Sequence, residues 1–234
     1  MNLKNSKILV TGGSAGIGKA TATMLISAGA RVAITGRDSE KLTRVSNDIN
    51  AIPIHLDQSR FDDIPAKLQT AITQLGGLDV LVNNAGIGAF APVGEFKAQD
   101  FERVFSVNVF GVALLTQEAV KVFKEQNYGN IVNIASTAAT GGFPNGSIYA
   151  ASKFALRGMT QCWQKELRRY NIRVMLINPS EVPTAFGSAD RTEKPEVKSK
   201  LTSDEIAHVI KSALEMDNRG FIPELTVWAT NPQD

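Results

Sequence analysis

Lys7-Ile8-Leu9-Val10-Thr11-Gly12-Gly13-Ser14-Ala15-Gly16-Ile17-Gly18 decides how the rest of the chain is read. A short apolar run stopped at once by glycines is a buried strand, and the helical pattern over about 16–28 makes the stretch a strand–turn–helix unit. Gly12, Gly16 and Gly18 permit a tight turn and let a pyrophosphate approach the backbone, where helix amides and dipole favour an anion. The spacing Gly12-x-x-x-Gly16-x-Gly18 departs from the Gly-x-Gly-x-x-Gly dinucleotide fingerprint. A glycine-rich turn by itself is weak evidence, because glycines also end strands for purely structural reasons. Its context between strand and helix is what gives it weight.

The same alternation continues to the end of the chain. Arg31-Val32-Ala33-Ile34-Thr35 is the next strand, followed by a helix over about 39–47. Ile52-Pro53-Ile54-His55-Leu56 is the third, followed by a helix over about 61–75 that tolerates Pro65 in its early turns. Asp79-Val80-Leu81-Val82 is the fourth, and one long helix covers about 98–125. Asn130-Ile131-Val132-Asn133-Ile134 is the fifth, with a helix to about 170 before Ile172-Arg173-Val174-Met175-Leu176-Ile177. A helix over about 203–215 precedes a seventh strand, Leu225-Thr226-Val227-Trp228. Strands alternating with helices predict an α/β fold: a Rossmann-type, doubly wound, seven-stranded, mostly parallel sheet with helices on both faces. No repeat, linker or low-complexity segment divides the chain, so residues 1–234 are expected to form a single domain.

Composition narrows the function. The 234 residues are 43% hydrophobic and 21% charged, enough for a two-faced sheet core. A net charge of +2 without like-charged blocks gives no case for nucleic acid or a membrane surface. The first residues run into a strand with no signal-like apolar region, and no apolar run approaches a membrane span. The lone Cys162 allows no intrachain disulfide, fits a reducing cytoplasmic location and is expected to pack within its helix. With His55, His208 and Cys162 as the only His and Cys, no metal site is expected. Trp163 and Trp228 read as packing residues.

Tyr149-Ala150-Ala151-Ser152-Lys153 carries the clearest chemistry. A tyrosine and a lysine four residues apart share one face of a helix. The loop Gly141-Gly142-Phe143-Pro144-Asn145-Gly146 puts Tyr149 near that helix's first turn. A neighbouring ammonium and the positive end of a helix both favour phenolate, pushing Tyr149 toward a pKa at which it shuttles protons. Tyr-x-x-x-Lys also occurs by chance in many helices, so the pair depends on the rest of the chain for its meaning.

Taken together, these motifs make the chain resemble the short-chain dehydrogenase/reductase family, in its compact one-domain branch. The resemblance rests on Thr11-Gly12-x-x-x-Gly16-x-Gly18, Asn83-Asn84-Ala85-Gly86, Asn108, Ser136, Tyr149-x-x-x-Lys153 and Pro179-Ser180-x-Val182-x-Thr184, and covers nearly the whole length. Ser180 replaces the family's usual glycine. The resemblance implies that Tyr149 is the general acid and base, that Ser136 holds the carbonyl oxygen, and that Lys153 binds the nicotinamide ribose and lowers the Tyr149 pKa. It also implies that Asp57 meets the adenine amino group, with a turn-capping aspartate as the plain alternative. Asn83, Ala85 and Gly86 would pass the adenine ribose, Asn83 being also a candidate interstrand tie, and Pro179, Val182 and Thr184 would lie by the nicotinamide. Ser14 and Ile17 complete the glycine turn. Asn108 falls on the apolar stripe formed by Phe101, Val104, Phe105, Val112, Leu115, Ala119 and Val122. A buried amide without partners costs roughly 1–3 kcal/mol. It is therefore either a satisfied structural residue or, as the resemblance implies and as we favour, the holder of a water linking Lys153 to solvent.

The expected activity is an NADP(H)-dependent exchange between a ketone and a secondary alcohol, with a 3-ketoacyl thioester among the candidate substrates. A catalytically silent NADP-binding regulator and a sugar-nucleotide epimerase are the alternatives; the second normally needs an additional domain. NADP(H) is expected over NAD(H) because Gly36, not an acid, ends the second strand, with Arg37 next and Ser14 near enough to add a hydroxyl. Asp38 would oppose this if the strand ended later. Ala138, Ala139, Gly141 and Phe143 would form a small apolar wall, and the polar segment over about 185–200 a mobile substrate lid. Resemblance also implies a homo-oligomer, tetramer rather than dimer, with Phe110, Ala113, Leu114, Phe123, Phe154 and Met159 as surplus apolar surface.

Overall fold

A computed structural model describes residues 1–186 and 194–231. Its strands are β1 (Lys7–Val10), β2 (Arg31–Gly36), β3 (Ile52–His55), β4 (Val80–Asn83), β5 (Gly129–Ile134), β6 (Ile172–Pro179) and β7 (Glu224–Val227). They form one seven-stranded sheet in the order β3-β2-β1-β4-β5-β6-β7. Every neighbouring pair is parallel, so the sheet is wholly rather than mostly parallel. Parallel neighbours need crossovers, and helices supply them: α1 (Gly16–Ser27), α2 (Ser39–Ile49), α3 (Ile64–Leu75), α4 (Ala98–Phe105), α5 (Val112–Glu125), α6 (Ser147–Leu167) and α7 (Ser203–Glu215).

The strands carry apolar residues on both faces because both are covered. Ile8, Val10, Val32, Ile34, Val82, Val132 and Ile177 pack with Leu25 of α1, Leu42 of α2 and Ile206, Ile210 and Leu214 of α7. On the other face Leu9, Ala33, Leu81, Ile131 and Val174 meet Ile64 and Leu68 of α3, and Leu115, Ala119 and Phe123 of α5. The helix ends follow local chemistry. Asp38 caps α2 by accepting from Lys41 N, and Thr202 and Glu205 form a reciprocal capping box on α7. Pro65 sits in the first turn of α3, where its missing N–H costs no helical bond, and a 3-10 turn at Phe61–Asp63 precedes it.

Several expectations are corrected. The long helix is not continuous: α4 and α5 are separated by a π-helical turn at Ser106–Gly111. The widened turn is where the chain after β3 fits in. Gln58 Nε2 donates to Val107 O at 3.2 Å. A Cβ on Gly111 would come within 2.3 Å of Gln58 O, so only glycine allows that approach. Cys162 is exposed rather than packed, because its position on α6 faces away from the sheet. Trp228 is 63% exposed, since β7 is an edge strand and its end is uncovered; Trp163 does pack against the core. Phe123 is fully buried under the sheet and offers no surface to a partner. Ala139 likewise belongs to the core with Val112, Leu156 and Leu176, and cannot line a substrate wall.

Candidate active site

β1 lies between β2 and β4, and the chain leaves it toward opposite edges of the sheet in its two halves. Such a switch point opens a crevice at the carboxyl ends of the strands. The glycine turn fills one side of it. Gly12 and Gly16 have φ of 64° and 49°, the left-handed region that favours glycine. A Cβ on Gly18 would lie 2.3 Å from Gly12 O, so α1 starts close under the turn. The turn is tied to β4 through Thr11, whose Oγ1 accepts from Asn84 N at 3.0 Å and Ala85 N at 2.9 Å. Asn84 Nδ2 donates back to Thr11 O at 2.9 Å and Gly12 O at 3.2 Å. Ile17 packs beneath on the core.

On the β2 side, Gly36 ends its strand as expected. A Cβ there would lie 3.2 Å from Ser14 Oγ, so the bare glycine leaves room beside that hydroxyl. Arg37 follows, exposed, with its carbonyl accepting from His55 Nε2 at 2.8 Å. Asp38 is turned to the α2 backbone, and its carboxylate takes Lys41 N at 2.9 Å. Asp57 Oδ1 accepts from Ser59 N at 3.0 Å and Ser59 Oγ at 2.7 Å, the turn-capping arrangement. Burial pushes its pKa up, but these two bonds and the charges of Arg37 and Arg60 hold it below the ordinary value. The Asn83 side chain points into the sheet. Its Nδ2 donates to Thr116 Oγ1 at 3.0 Å and Asn133 Oδ1 at 2.8 Å, and Asn133 passes the chain to Thr160 at 2.8 Å. That is the interstrand tie.

At the other end of the crevice, Ser136 follows β5 and caps a short 3-10 turn, its Oγ accepting from Ala138 N at 3.1 Å. Tyr149 lies in the first turn of α6, with the Ser136 side chain near enough to act on its acidity. Lys153, one turn on, has its Nζ 5.6 Å from the Tyr149 ring centroid and donates to Ile134 O at 3.0 Å. Asn108 projects from the π-helical turn. Its Oδ1 accepts from Ile87 N and its Nδ2 donates to Ile87 O, both at 2.9 Å, and to Ser152 Oγ at 3.0 Å. Ser152 Oγ in turn donates to Tyr149 O at 2.7 Å. Asn108 thus ties Ile87 to Ser152 in the turn of helix bearing Tyr149. A Cβ on Gly86 would fall 3.4 Å from Asn108 Oδ1 and 3.6 Å from Lys153 Nζ, so glycine keeps open the gap these two groups share.

The acidity of Tyr149 differs from expectation. Burial pushes its pKa up to about 12, with the nearby Ser136 side chain pulling the other way. Burial also pushes Lys153 down to about 8. The desolvation of the phenolate, which spacing along the helix does not reveal, outweighs the pull of Ser136. Tyr149 is therefore a protonated donor at neutral pH.

The segment after β6 closes the site. Pro179 ends the strand, and Ser180 keeps its ladder by donating N–H to Val227 O at 2.8 Å. Ser180 Oγ also accepts from Ala229 N at 3.3 Å, a bond glycine could not make. Val182 packs on the core, and Thr184 lies against the glycine turn, where a Cβ on Gly16 would meet its Cγ2 at 3.0 Å. The expected lid lies outside the described residues over 187–193.

A model described as short chain dehydrogenase matches residues 6–195. The chain belongs to the short-chain dehydrogenase family. As a short-chain dehydrogenase it is similar to a 3-oxoacyl-[acyl-carrier-protein] reductase of Thermotoga maritima, 35% identical over 87% of this chain and 82% of that one. Among solved structures, a metagenomic short-chain oxidoreductase in complex with NADP is 32% identical, with a TM-score of 0.84 over 100% of both chains. A 3-ketoacyl-(acyl-carrier-protein) reductase from Brucella melitensis complexed with NADH is 28% identical, with a TM-score of 0.88 over 99% of this chain and 100% of that one. The family is that of NAD(P)-linked oxidoreductases, and the chain is an oxidoreductase of it.

Sequence reasoning about this short-chain dehydrogenase passed over three positioning residues. Asn84 was legible only as part of a motif, although its amide clamps the glycine turn. Ser152, between Tyr149 and Lys153, carries the Asn108 link. Phe90 stands 5.7 Å from Tyr149 between ring centroids, and nothing in its spacing announces that contact.

Proposed function

We propose that the chain is an NADP(H)-dependent oxidoreductase that interconverts a ketone and a secondary alcohol. The observation that carries this reading is the gathering of Ser136, Tyr149 and Lys153, with Lys153 Nζ 5.6 Å from the Tyr149 ring centroid, in a fold whose glycine turn a Cβ would fill. The residues present fit a dinucleotide. Gly12, Ser14, Gly16, Ile17 and Gly18 would hold the pyrophosphate. Arg37, with Asp57 opposite, would flank the adenosine, and the backbone from Asn83 through Ala85 and Gly86 would pass its ribose. Pro179, Val182 and Thr184 would border the nicotinamide, whose reduced form supplies hydride to the carbonyl carbon. Tyr149 gives its hydroxyl proton to the carbonyl oxygen as the alcohol forms, and takes it back in reverse. The raised Tyr149 pKa keeps that proton in place at pH 7. Ser136 orients the oxygen, Lys153 binds ribose hydroxyls and stabilises negative charge as Tyr149 gives up its proton, and Asn108 positions the helix turn.

NADP(H) over NAD(H) is supported by three features that agree. Gly36 brings no acid, Ser14 adds a hydroxyl beside it, and Asp38 is held by the α2 cap. We further assign residues 1–234 to a single domain in a reducing, cytoplasmic setting. Assembly as a homotetramer or dimer is supported by the exposed Phe110 of the π-helical turn and Phe154 of α6; a single monomeric mass in light scattering would remove that part.

The test is NADPH absorbance with the purified protein and a panel of ketones and 3-ketoacyl thioesters. Oxidation that disappears in Tyr149→Phe, with NADPH binding retained, is the expected result. Tight NADPH binding without turnover on the whole panel would make the protein a silent nucleotide-binding regulator instead.

A further inference from the structure

Three phenylalanines from three separate loops gather by Tyr149, Phe90 and Phe186 against its ring and Phe143 against Phe90. The Phe90 and Phe186 ring centroids lie 5.7 Å and 5.3 Å from that of Tyr149, and Phe143 lies 6.1 Å from Phe90. Backbone without side chains seats them. A Cβ on Gly88 would meet Phe90 at 2.8 Å and Phe186 at 3.2 Å, and one on Gly146 would meet the Phe143 ring at 2.4 Å. Close fits of this kind hold the rings in place, yet Phe90, Phe143 and Phe186 are 49%, 44% and 37% exposed. Half-exposed rings around a reactive hydroxyl are apolar surface that a flat ligand can cover.

Charge is absent from the walls that carry two of them. Residues 84–94 and 136–146 contain no Lys, Arg, Asp or Glu. On the third wall, Glu181 is paired with Lys200 at 2.6 Å. A substrate bearing phosphate or carboxylate near its carbonyl would find no counter-charge on these stretches and would lose hydration against the rings.

The geometry points to a ketone with an aryl or similarly flat, uncharged group on one side of its carbonyl as the preferred substrate. Phe90 and Phe143 take the flat group while the carbonyl oxygen meets Tyr149 and Ser136. This rests on the proposed role of Tyr149, and the reaction is the same two-electron reduction: hydride from the reduced nicotinamide to carbon, proton from Tyr149 to oxygen.

The experiment measures kcat/KM with NADPH for acetophenone, acetone, pyruvate and acetoacetyl-coenzyme A, in wild type, Phe90→Ala, Phe143→Ala and Phe90→Tyr. Acetophenone is expected to exceed each of the others by about tenfold or more. Its advantage over acetone should fall about tenfold in each alanine variant, mainly through KM, and persist in Phe90→Tyr, which keeps the ring. Circular dichroism and NADPH affinity check that the variants remain folded. A preference for the thioester or pyruvate, or an aryl advantage untouched by both alanine substitutions, overturns the assignment while leaving ketone reduction standing. NADPH binding with no turnover of any carbonyl overturns both this assignment and the reading beneath it.

Discussion

Replacing Lys153 with methionine should make the protein more stable at pH 7 while removing its activity. The Lys153 side chain is buried, 4% exposed, and its pKa falls from 10.5 to about 8 on burial. At pH 7 both folded and unfolded chains hold the proton, so the folded state bears the whole cost of the buried ammonium. A shift of that size corresponds to about 3 kcal/mol. Methionine has similar length and no charge, but it forfeits the bond to Ile134 O, worth about 1 kcal/mol. The net gain expected for Lys153→Met at pH 7 is therefore about 2 kcal/mol. The sign reverses with pH. As pH rises through 8 the folded wild type loses its proton before the unfolded chain does, so wild-type stability climbs toward pH 10.5. The variant has no such climb, and its advantage should vanish near pH 9.5–10 and then become a deficit of about 1 kcal/mol. Urea unfolding of both proteins without nucleotide, at intervals from pH 7 to 10, measures the difference and cancels the other titrating groups. A variant less stable than wild type at pH 7, or a difference constant across that range, refutes the reasoning.

Three further outcomes are expected. Arg37→Ala should weaken NADPH by roughly ten- to a hundredfold and leave NADH nearly unchanged, as read by titration of nucleotide fluorescence. Gly18→Ala, which sets a methyl 2.3 Å from Gly12 O and 2.4 Å from Asn84 Nδ2, should cost about 1–3 kcal/mol in urea unfolding and abolish NADPH binding at micromolar concentration. Thr11→Val keeps the shape but removes an acceptor. Asn84 N retains Val82 O at 3.1 Å, whereas Ala85 N loses its partner, so the loss should be about 1–3 kcal/mol and Thr11→Ser should be milder.

The sequence made the architecture legible wherever periodicity and punctuation agreed. Ile8, Leu9 and Val10 followed by glycines could only be a buried strand entering a tight turn, and the same pattern recurs along the chain. Gly36 at the end of β2 was also countable, because a strand's length is fixed by its apolar run. What escaped depends on contacts distant in sequence. The π-helical turn at Ser106–Gly111 arises where Gln58 and Gly111 meet across the fold, and helical periodicity alone continues straight through it. The Tyr149 pKa went the other way because spacing reveals the neighbouring lysine but not the depth of burial that outweighs it. Asn108 carried the right position on the apolar stripe, while its partners Ile87 and Ser152 became visible only in three dimensions.

The placement of β1 also bears on how the chain is made. Its second neighbour, β4, pairs Val10 with Val82, and the clamp on the glycine turn waits for Asn84. At ribosomal rates of roughly 5–20 residues per second, that partner follows β1 out by about 4–15 s. During this interval Ile8, Leu9 and Val10 present an unpaired apolar edge on a three-stranded fragment. The first third of the chain therefore keeps an open apolar edge until β4 has emerged to pair with it.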